Sequence, residues 1–328
     1  MLNVGIIGLK GHQGTILGGI QAMDDVRLAA VAEDNAGALE GVPKWASADE
    51  ETKRYAEWRD MLAENDLDIV GVADADGPRA AQLIACAEAG CHILSEKPLA
   101  MTLDQLDAIR AAVEAADVRL SMLLTMRFEP AYRLIHDTIR AGKIGEVVLA
   151  TMQKSYRLGN RPEWQRSNDT FSGIIPFIGI HALDLIRWTT GREFTSAMAY
   201  QGNTGHPDIR DMEDNASVAL RLDNGGSASA RLDYCRPAAA PTHGDDRLRI
   251  AGSEGVIEAT RGKTVTLIME EVGPEELPLP KTEQMFVQYV GALQSGEPFG
   301  VSQVDAFRMS EICLKIRDAA QRGESTAL

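Results

Sequence analysis

The first residues whose types and spacing suit a defined chemistry lie in Gly5-Ile6-Ile7-Gly8-Leu9-Lys10-Gly11-His12-Gln13-Gly14. This segment follows an apolar stretch and precedes a helical pattern, and glycines at such a turn let the backbone approach a pyrophosphate at the helix N-terminus. The spacing is G-x-x-G-x-x-G, one residue longer than the usual G-x-G-x-x-G. A glycine cluster alone also fits any tight turn, so the neighbouring elements must show whether this turn binds a dinucleotide. The dinucleotide-binding candidates in this turn are Gly8, Lys10, Gly11, His12 and Gln13.

An acid is expected about 20 residues beyond such a turn, and Glu33 closes the apolar run Ala29-Ala30-Val31-Ala32. A carboxylate at that strand end accepts hydrogen bonds from the adenosine ribose and repels a 2′-phosphate. Asp34 follows it, and no adjacent Arg or Lys would attract the phosphate. We therefore expect NAD to be preferred over NADP, with Glu33 and Asp34 as cofactor residues. The alternative is an acid that only caps the next turn.

Ser95-Glu96-Lys97-Pro98 follows a later apolar stretch, His92–Leu94. Ligands of open α/β sheets bind beyond the carboxyl ends of the strands, so Lys97 should point toward the cofactor crevice. Taken alone, a Glu-Lys pair before proline is only a polar turn. The strand ends in this part of the chain add Ala73, Asp74, Glu96 and Lys97 to the cofactor-binding candidates.

Short apolar stretches alternate with amphipathic ones through the first part of the chain. Such alternation indicates parallel strands joined by right-handed helical crossovers, hence a doubly wound α/β sheet. The expected strands are Leu2–Leu9, Val26–Ala32, Ile69–Ala73, His92–Leu94 and Arg119–Leu124, and the expected helices are Gly14–Ala22, Glu57–Glu64, Pro78–Ala89 and Leu103–Ala116. We place a dinucleotide-binding Rossmann domain at residues 1–124.

The pattern changes after about Met126. A helix leads into extended stretches separated by turns, and Asn224-Gly225-Gly226 between two of them is a hairpin signal. The expected strands are Gly145–Gln153, Ala197–Tyr200, Ala216–Leu222, Ser227–Tyr234, Arg247–Ala251, Val256–Thr260 and Thr264–Glu270, and the expected helices are Pro130–Ala141, Ala182–Thr189, Glu283–Gln294 and Val304–Arg322. Residues 125–328 are expected to form a second, sheet-containing domain that binds substrate.

Composition narrows the class of protein. The 328 residues are 45% hydrophobic and 25% charged with a formal net charge of −15, a balance typical of a soluble globular protein that repels nucleic acid and anionic membranes. We find no apolar run long enough to span a bilayer, and we expect no signal peptide before the first strand. The four cysteines lack C-x-x-C spacing, so we expect reduced thiols in a cytoplasmic protein without a disulfide or a metal site.

Several motifs together resemble the glucose–fructose oxidoreductase / inositol dehydrogenase / MocA (Gfo/Idh/MocA) family. After the glycine turn and the acid, they are Ala89-Gly90-Cys91-His92-Ile93-Leu94-Ser95-Glu96-Lys97-Pro98, Arg127-Phe128-Glu129-Pro130, Ala141-Gly142-Lys143-Ile144-Gly145-Glu146-Val147, Gly179-Ile180-His181-Ala182-Leu183-Asp184 and Ile250-Ala251-Gly252-Ser253-Glu254-Gly255. The resemblance runs along essentially the whole chain. It implies an NAD(P)-dependent oxidoreductase of sugars, polyols or related cyclic alcohols. It also implies a large, mostly antiparallel open sheet in the second α/β domain, through which homodimers or homotetramers form.

By matching position, the resemblance implies catalytic roles for Lys97, which orients the substrate hydroxyl and the nicotinamide, and His181, the acid/base residue. Histidine titrates nearest to neutrality, and an ammonium group stabilises a developing alkoxide. Asp184 follows three residues later on a predicted helix, where its carboxylate can orient the imidazole, and Arg127 is expected near the cofactor. The expected substrate-binding residues are Lys97, Tyr156, Arg157, Trp164, His181 and His243.

The chain departs from the family pattern at Phe177, where many members carry an Asp four residues before the histidine. A phenyl ring cannot relay a proton, so we predict that Asp184 or the polar loops Tyr156–Trp164 and Arg236–Arg247 orient His181 instead. The leading hypothesis is an NAD-dependent oxidoreductase of a sugar or cyclitol. Two alternatives stay open: a lyase or glycosidase that oxidises a sugar carbon transiently, and a non-enzymatic protein that senses a dinucleotide or a sugar.

Overall fold

The first sheet is built from the apolar strands near the start of the chain. In the computed structural model, which describes residues 1–209 and 211–328, six parallel strands pair in the order β3-β2-β1-β4-β5-β6. These strands are β1 (Leu2–Ile7), β2 (Val26–Ala32), β3 (Lys53–Tyr55), β4 (Ile69–Val72), β5 (His92–Ser95) and β6 (Leu120–Met122). The strand order reverses between β1 and β4, which is the switch point where doubly wound sheets bind dinucleotides. The doubly wound sheet that the sequence predicts is confirmed.

Helices follow the strands of this sheet and cover both of its faces. They are α1 (Gln13–Gln21), α2 (Ala36–Leu39), α3 (Trp58–Glu64), α4 (Asp76–Glu88) and α5 (Leu103–Ala116). Every residue of β4 is buried, as are the last four residues of β1. A strand covered on both faces reads as a continuous apolar run, which is why the sequence predicts these strands well. The polar edge strand β3 carries no such run, and the sequence analysis missed it.

The second sheet contains nine strands in the described part of the chain, in the order β14-β13-β12-β11-β7-β10-β9-β8-β15. They are β7 (Val147–Ser155), β8 (Phe194–Gly202), β9 (Asn215–Leu222), β10 (Ser227–Asp233), β11 (Arg247–Gly252), β12 (Gly255–Thr260), β13 (Thr264–Met269), β14 (Glu275–Glu276) and β15 (Ser325–Ala327). Strands β7 and β10 run parallel, and the other neighbouring strands of this sheet are antiparallel. The expected large, mostly antiparallel sheet is confirmed. The turn between β9 and β10 is the predicted one, with Gly225 at φ +86°.

One face of the second sheet is covered by helices of the same unit, and the other carries exposed side chains. The remaining helices of the chain are α6 (Pro130–Arg140), α7 (Ile180–Thr190), α8 (Met285–Ser295) and α9 (Gln303–Arg322). Helix α7 packs against β7 and β10. On the opposite face, Met198 and Tyr200 are 41% and 66% exposed. No helix of residues 1–209 and 211–328 has both the length and the apolar character needed to cross a membrane.

Contacts divide the chain into two compact units, and the division is not a single cut at residue 124. The first unit contains Met1–Thr125 and Glu283–Ser310, and the second contains Met126–Thr282 and Glu311–Leu328. Helix α8 belongs with the first sheet because its Phe286 packs against Gly19 of α1, where a Cβ would lie 2.5 Å from the Phe286 Cβ. The Tyr289 hydroxyl also donates to the Ile93 carbonyl at 3.0 Å. The apolar face of α8 is visible in the sequence, but its packing partner is not.

Candidate active site

The glycine turn after β1 is held against the end of β4 and leaves open space at the start of α1. Gly8 has φ +78°, and a Cβ there would lie 2.5 Å from the Asp74 Cα, so glycine is required. The Lys10 N–H donates to the Ala73 carbonyl at 2.8 Å. A Cβ at Gly14 would meet nothing within 4 Å, and the side chain of the N-cap residue His12 makes no capping hydrogen bond to α1. An uncapped helix N-terminus beside open space is a cradle that fits a pyrophosphate.

Glu33 fastens the glycine turn to the end of β2. Its carboxylate accepts the backbone N–H of Leu9 at 2.7 Å and the backbone N–H of Asn35 at 3.0 Å. The residue is 4% exposed, and burial raises the pKa of its carboxyl. Each of the two carboxylate oxygens can accept a further hydrogen bond, so the contact of Glu33 with the ribose stays a prediction.

Lys10 lies among three carboxylates from two strand ends, Glu33 and Asp34 after β2 and Asp74 after β4. Its Nζ is 3.0 Å from Asp34 Oδ1, 2.9 Å from Asp74 Oδ1 and 3.6 Å from Glu33 Oε1. Partial burial would lower the pKa of Lys10, but the Asp74 and Asp34 carboxylates outweigh it and raise that pKa. No Arg or Lys is adjacent to Asp34 in the sequence, but the glycine turn brings Lys10, 24 positions away, beside it.

Glu96 joins the glycine turn to the Glu-Lys-Pro segment. Its Oε1 accepts the backbone N–H of His12 and lies 2.5 Å from the Nδ1 of that residue. Its Oε2 accepts the backbone N–H of Lys97 at 3.1 Å and is 3.9 Å from Lys97 Nζ. Burial alone would raise the pKa of Glu96, but the His12 and Lys97 charges hold that pKa well below its ordinary value. The Gln13 side-chain oxygen stabilises the turn by accepting a hydrogen bond from the Gly11 backbone N–H at 3.1 Å.

Arg79 of α4 connects two of the loops that line this crevice, and the sequence analysis missed it. Its guanidinium donates to the Pro98 carbonyl at 2.7 Å and to the Asp74 carbonyl at 2.6 Å. It also pairs with Asp76 at 2.9 Å, although Arg79 is only 1% exposed. An arginine placed three residues after an aspartate at a helix start reads as a surface pair, so the sequence gave no sign of this contact. Arg79 therefore positions the turn that carries Lys97.

In the second unit, His181 lies in the first turn of α7, directly after a π-helical segment, Ile175–Gly179. Single π-helical turns often occur at functional sites. His181 is 6% exposed. Asp184 on the same helix is held by Arg127, whose Nε and one terminal nitrogen lie 2.9 Å and 2.5 Å from its two oxygens. The Arg127 guanidinium also lies 5.6 Å from the Trp188 ring centroid.

Phe177 belongs to an aromatic cluster with two other residues of the loop region. Its ring centroid is 5.9 Å from that of Trp164 and 5.0 Å from that of Phe171, and both contacts are edge-to-face. Trp164 and Phe171 also meet edge-to-face at 6.1 Å. Apolar contacts therefore occupy the position four residues before His181. The π-helical turn places Phe177 against Trp164, one of the predicted substrate residues.

Tyr156 and His243 come together with two charged residues. One is Lys154, which the sequence predictions did not include, and the other is Asp246, which lies in the predicted polar loop Arg236–Arg247. The Tyr156 and His243 rings are 5.3 Å apart, while Arg157 donates from its backbone to the His243 carbonyl at 3.0 Å. Fully buried Lys154 pairs with Asp246 at 2.9 Å, and the Tyr156 hydroxyl lies 3.3 Å from the same Asp246 oxygen. Lys154 was missed because a lone lysine in a strand normally faces solvent.

Comparison with known proteins identifies the family. A model of the oxidoreductase family with an NAD-binding Rossmann fold, GFO_IDH_MocA, matches residues 2–124, and a GFO/IDH/MocA C-terminal domain model matches residues 132–258. The chain belongs to the Gfo/Idh/MocA family. The resemblance carried by the Glu-Lys-Pro and Gly-Ile-His motifs is thereby confirmed. The open cradle at Gly14 fits the cofactor that the family description names.

Individual relatives agree with this family. A solved structure of a Thermotoga maritima protein is 30% identical with a TM-score of 0.93, covering 100% of both chains. The uncharacterized oxidoreductase YrbE of Bacillus subtilis (strain 168) is 26% identical over 80% of this chain and 75% of its own length. Myo-inositol 2-dehydrogenase of Thermotoga maritima is 25% identical over 82% of this chain and 78% of its own. The chain is similar to these Gfo/Idh/MocA proteins over most of its length.

Proposed function

We propose that this Gfo/Idh/MocA protein is an NAD-dependent oxidoreductase that transfers a hydride between nicotinamide and a hydroxyl or carbonyl group of a sugar, a cyclitol or a related polyol. The observation that carries the proposal is the Glu96 bridge. One buried carboxylate holds both His12 of the glycine turn and Lys97. A purely structural turn has no need to fix a lysine beside a phosphate-binding loop.

Bound NAD supplies the hydride acceptor, and the chain supplies binding and proton chemistry. The glycine turn and the start of α1 would receive the pyrophosphate, and the open space at Gly14 would allow its close approach. Lys97 stabilises negative charge that develops on the substrate oxygen. His181 removes the hydroxyl proton during oxidation and returns it during reduction. If NAD is bound, its nicotinamide would accept the hydride from the substrate C–H bond, and His181 would take the proton of the hydroxyl group.

A polyhydroxylated substrate is supported by the groups gathered around Tyr156. Its phenol, the His243 ring and the Lys154–Asp246 pair place several donors and acceptors within a short span, an arrangement that suits a ligand with several hydroxyls. The Trp164–Phe177 contact adds apolar aromatic surface, which suits the carbon face of a sugar ring. We propose the cytoplasm as the site of action, on the cysteine pattern of the sequence.

The deciding experiment incubates the purified protein with NAD and a panel of sugars, cyclitols and glycosides. A dehydrogenase increases absorbance at the reduced-nicotinamide band with at least one polyol. Consumption of a glycoside without a net change in that band would replace the proposal with a lyase or glycosidase cycle. Tight NAD or sugar binding without turnover of any panel member would favour the sensing protein instead.

A further inference from the structure

Two arginines in the loop after β7 make no ion pair with the chain itself. Arg157 and Arg161 are partly buried, and neither pairs with a carboxylate in the part of the chain that the structure describes. The arginines of the neighbouring loop differ, because Arg236 and Arg247 lie 3.7 Å and 3.0 Å from Asp245. A chain with a formal net charge of −15 has acidic side chains in excess. The lack of an acidic partner at these two positions therefore points to a partner from outside the chain.

The two arginines differ in what holds them. Arg157 donates to the Ala240 carbonyl and so joins its loop to the next one. The Arg161 guanidinium stacks on the Tyr234 ring, with 3.9 Å between its central carbon and the ring centroid, and its Nη1 donates to Gln165 Oε1 at 2.9 Å. Its Nε is buried, and no described atom accepts its hydrogen. These neutral contacts orient the planar group of Arg161 and leave its positive charge uncompensated.

Arg161 lies on the side of the second sheet that carries His181. Tyr234 comes two positions after Leu232 and both side chains are buried, as expected for neighbours on one face of a strand. Leu232 packs against Gly179, where a Cβ would lie 2.6 Å from Leu232 Cδ1, and Gly179 is two residues before His181. The guanidinium that stacks on Tyr234 therefore lies over the same face of the sheet as the first turn of α7.

The loop that carries Arg161 also contacts the segment before His181. Trp164 follows Arg161 by three residues, and its ring meets that of Phe177 edge-to-face at 5.9 Å. Phe177 is in turn four residues before His181. A substrate that binds at His181 would thus have aromatic surface and one unpaired guanidinium on the side of this loop.

We propose that the substrate is a sugar acid and that Arg161 selects it by binding its carboxylate. The inference rests on the proposed function, because it concerns the substrate of the same site. A guanidinium and a carboxylate are both planar and form two parallel hydrogen bonds, and their single charges balance. A phosphate ester carries about −1.5 to −2 charges, more than one guanidinium neutralises. The carboxylate supplies the acceptor that Arg161 Nε lacks, and it takes no part in hydride transfer.

The test compares charged and neutral substrates of the same carbon skeleton. Steady-state rates with NAD are measured for a panel of aldonates and uronates, for the methyl esters of the uronates, and for the neutral parent sugars and their phosphate esters. At least one acid should exceed its neutral counterparts in kcat/KM by about tenfold to hundredfold, the usual effect of a charge-assisted hydrogen bond. Arg161→Gln should remove this advantage and leave the rates on neutral sugars unchanged.

Arg166→Gln is the matched control, because it removes an exposed arginine from the same region of the chain. It should leave the ratio of acid to neutral substrate unchanged. Arg161→Lys keeps the charge but not the two-point geometry, so the advantage should fall several-fold. This variant answers the same question if thermal unfolding shows that Arg161→Gln does not fold.

Three results would overturn the inference: equal kcat/KM for acids and neutral sugars in the wild type, an acid preference that survives both Arg161 variants, and a preference for phosphate esters over acids. Turnover of neutral sugars alone would leave the proposed function standing without this inference. If no member of the panel, charged or neutral, reduces NAD, the proposed function itself fails.

Discussion

Arg127 and Asp184 form a two-point ion pair inside the second unit, 3% and 1% exposed respectively. Removing one partner of a buried pair leaves an uncompensated charge, which costs about 3–5 kcal/mol. We expect Arg127→Leu to lower the free energy of unfolding by that amount, and Arg127→Lys to recover only part of it, since lysine cannot make both contacts. Urea unfolding of the three proteins measures this.

The paired variant Arg127→Leu/Asp184→Leu supplies the control for this prediction. It removes both charges together, so its destabilisation should be smaller than the sum of the two single changes. Additive effects would show that the two side chains act independently. Asp184 would then remain available to orient His181 as the sequence suggested.

Lys97→Ala should abolish turnover while leaving most of the NAD affinity. We propose that Lys97 stabilises the substrate alkoxide, whereas the glycine turn and α1 bind the pyrophosphate. Steady-state rates on the substrate found by the polyol panel, together with calorimetry for NAD, give both quantities. Lys143→Ala removes an exposed lysine and should change neither. Wild-type kcat in Lys97→Ala would refute the assigned role.

The ion pairs of Glu96 predict how the stability of the protein depends on pH. Burial alone would raise its pKa, but the charges of His12 and Lys97 hold that pKa below the ordinary value of 4.5. A carboxyl with a depressed folded pKa stabilises the fold above its unfolded pKa, and this stabilisation is lost as pH falls through the folded pKa. Wild type should therefore be more stable than Glu96→Gln above pH 4.5, and the margin should shrink at lower pH.

Unfolding by urea over a pH series measures that margin. A margin that stays constant or widens in acid would mean that the Glu96 carboxylate is not stabilised by its two cationic neighbours. His12→Ala should reduce the margin at every pH where it is present, because it removes the closer of them.

The sequence predicted the fold where one segment's own pattern is enough. The central strands β1 and β4 are continuous apolar runs, and Asn224-Gly225 is a local hairpin signal, so each could be found alone. The position of α8 could not be predicted in this way. Its apolar face indicates that the helix packs against another element, but only the structure shows that this element is α1, at Gly19.

The sequence identified many of the candidate site residues, but it did not predict which of their side chains contact each other. Motifs named the turn, the Glu-Lys-Pro segment and His181. Two ion pairs join residues that are far apart in the sequence. Lys10 contacts Asp34, which lies 24 positions away, and Asp184 contacts Arg127, which lies 57 positions away. Spacing in sequence carries no information about such meetings, and the buried Arg79 and Lys154 give no periodic signal at all.

Assembly is the next prediction. Helices of the same unit cover one face of the second sheet, while Met198 and Tyr200 stand exposed on the other. Exposed apolar side chains on an open sheet mark an interface, so we expect a homodimer or homotetramer. Light scattering at micromolar concentration measures this. Met198→Lys/Tyr200→Lys should shift the protein toward a monomer, whereas Val304→Lys, an exposed apolar residue of α9, should not. A monomeric wild type would refute the interface.

Phe177 and His181 decide whether this chain retains proton chemistry. Phe177 packs edge-to-face on Trp164 and Phe171, so no carboxylate stands four residues before the histidine. If His181 is still the base, His181→Ala should lower kcat by about 10²–10⁴-fold, the usual effect of a positioned acid/base group. Phe177→Leu should change kcat far less, because it keeps the position apolar. Steady-state rates on the panel substrate measure both.

His92→Ala is the control for the loss of an imidazole, since His92 begins β5 and accepts the Arg119 backbone N–H at 3.1 Å. It should leave kcat close to the wild-type value. Turnover that survives His181→Ala would make His181 a packing residue and remove the acid/base assignment. Phe177→Asp is less informative, because a carboxylate placed among two aromatic rings is destabilising in itself. A loss of activity there would have to be compared with the loss of folded protein, measured by thermal unfolding of the same sample.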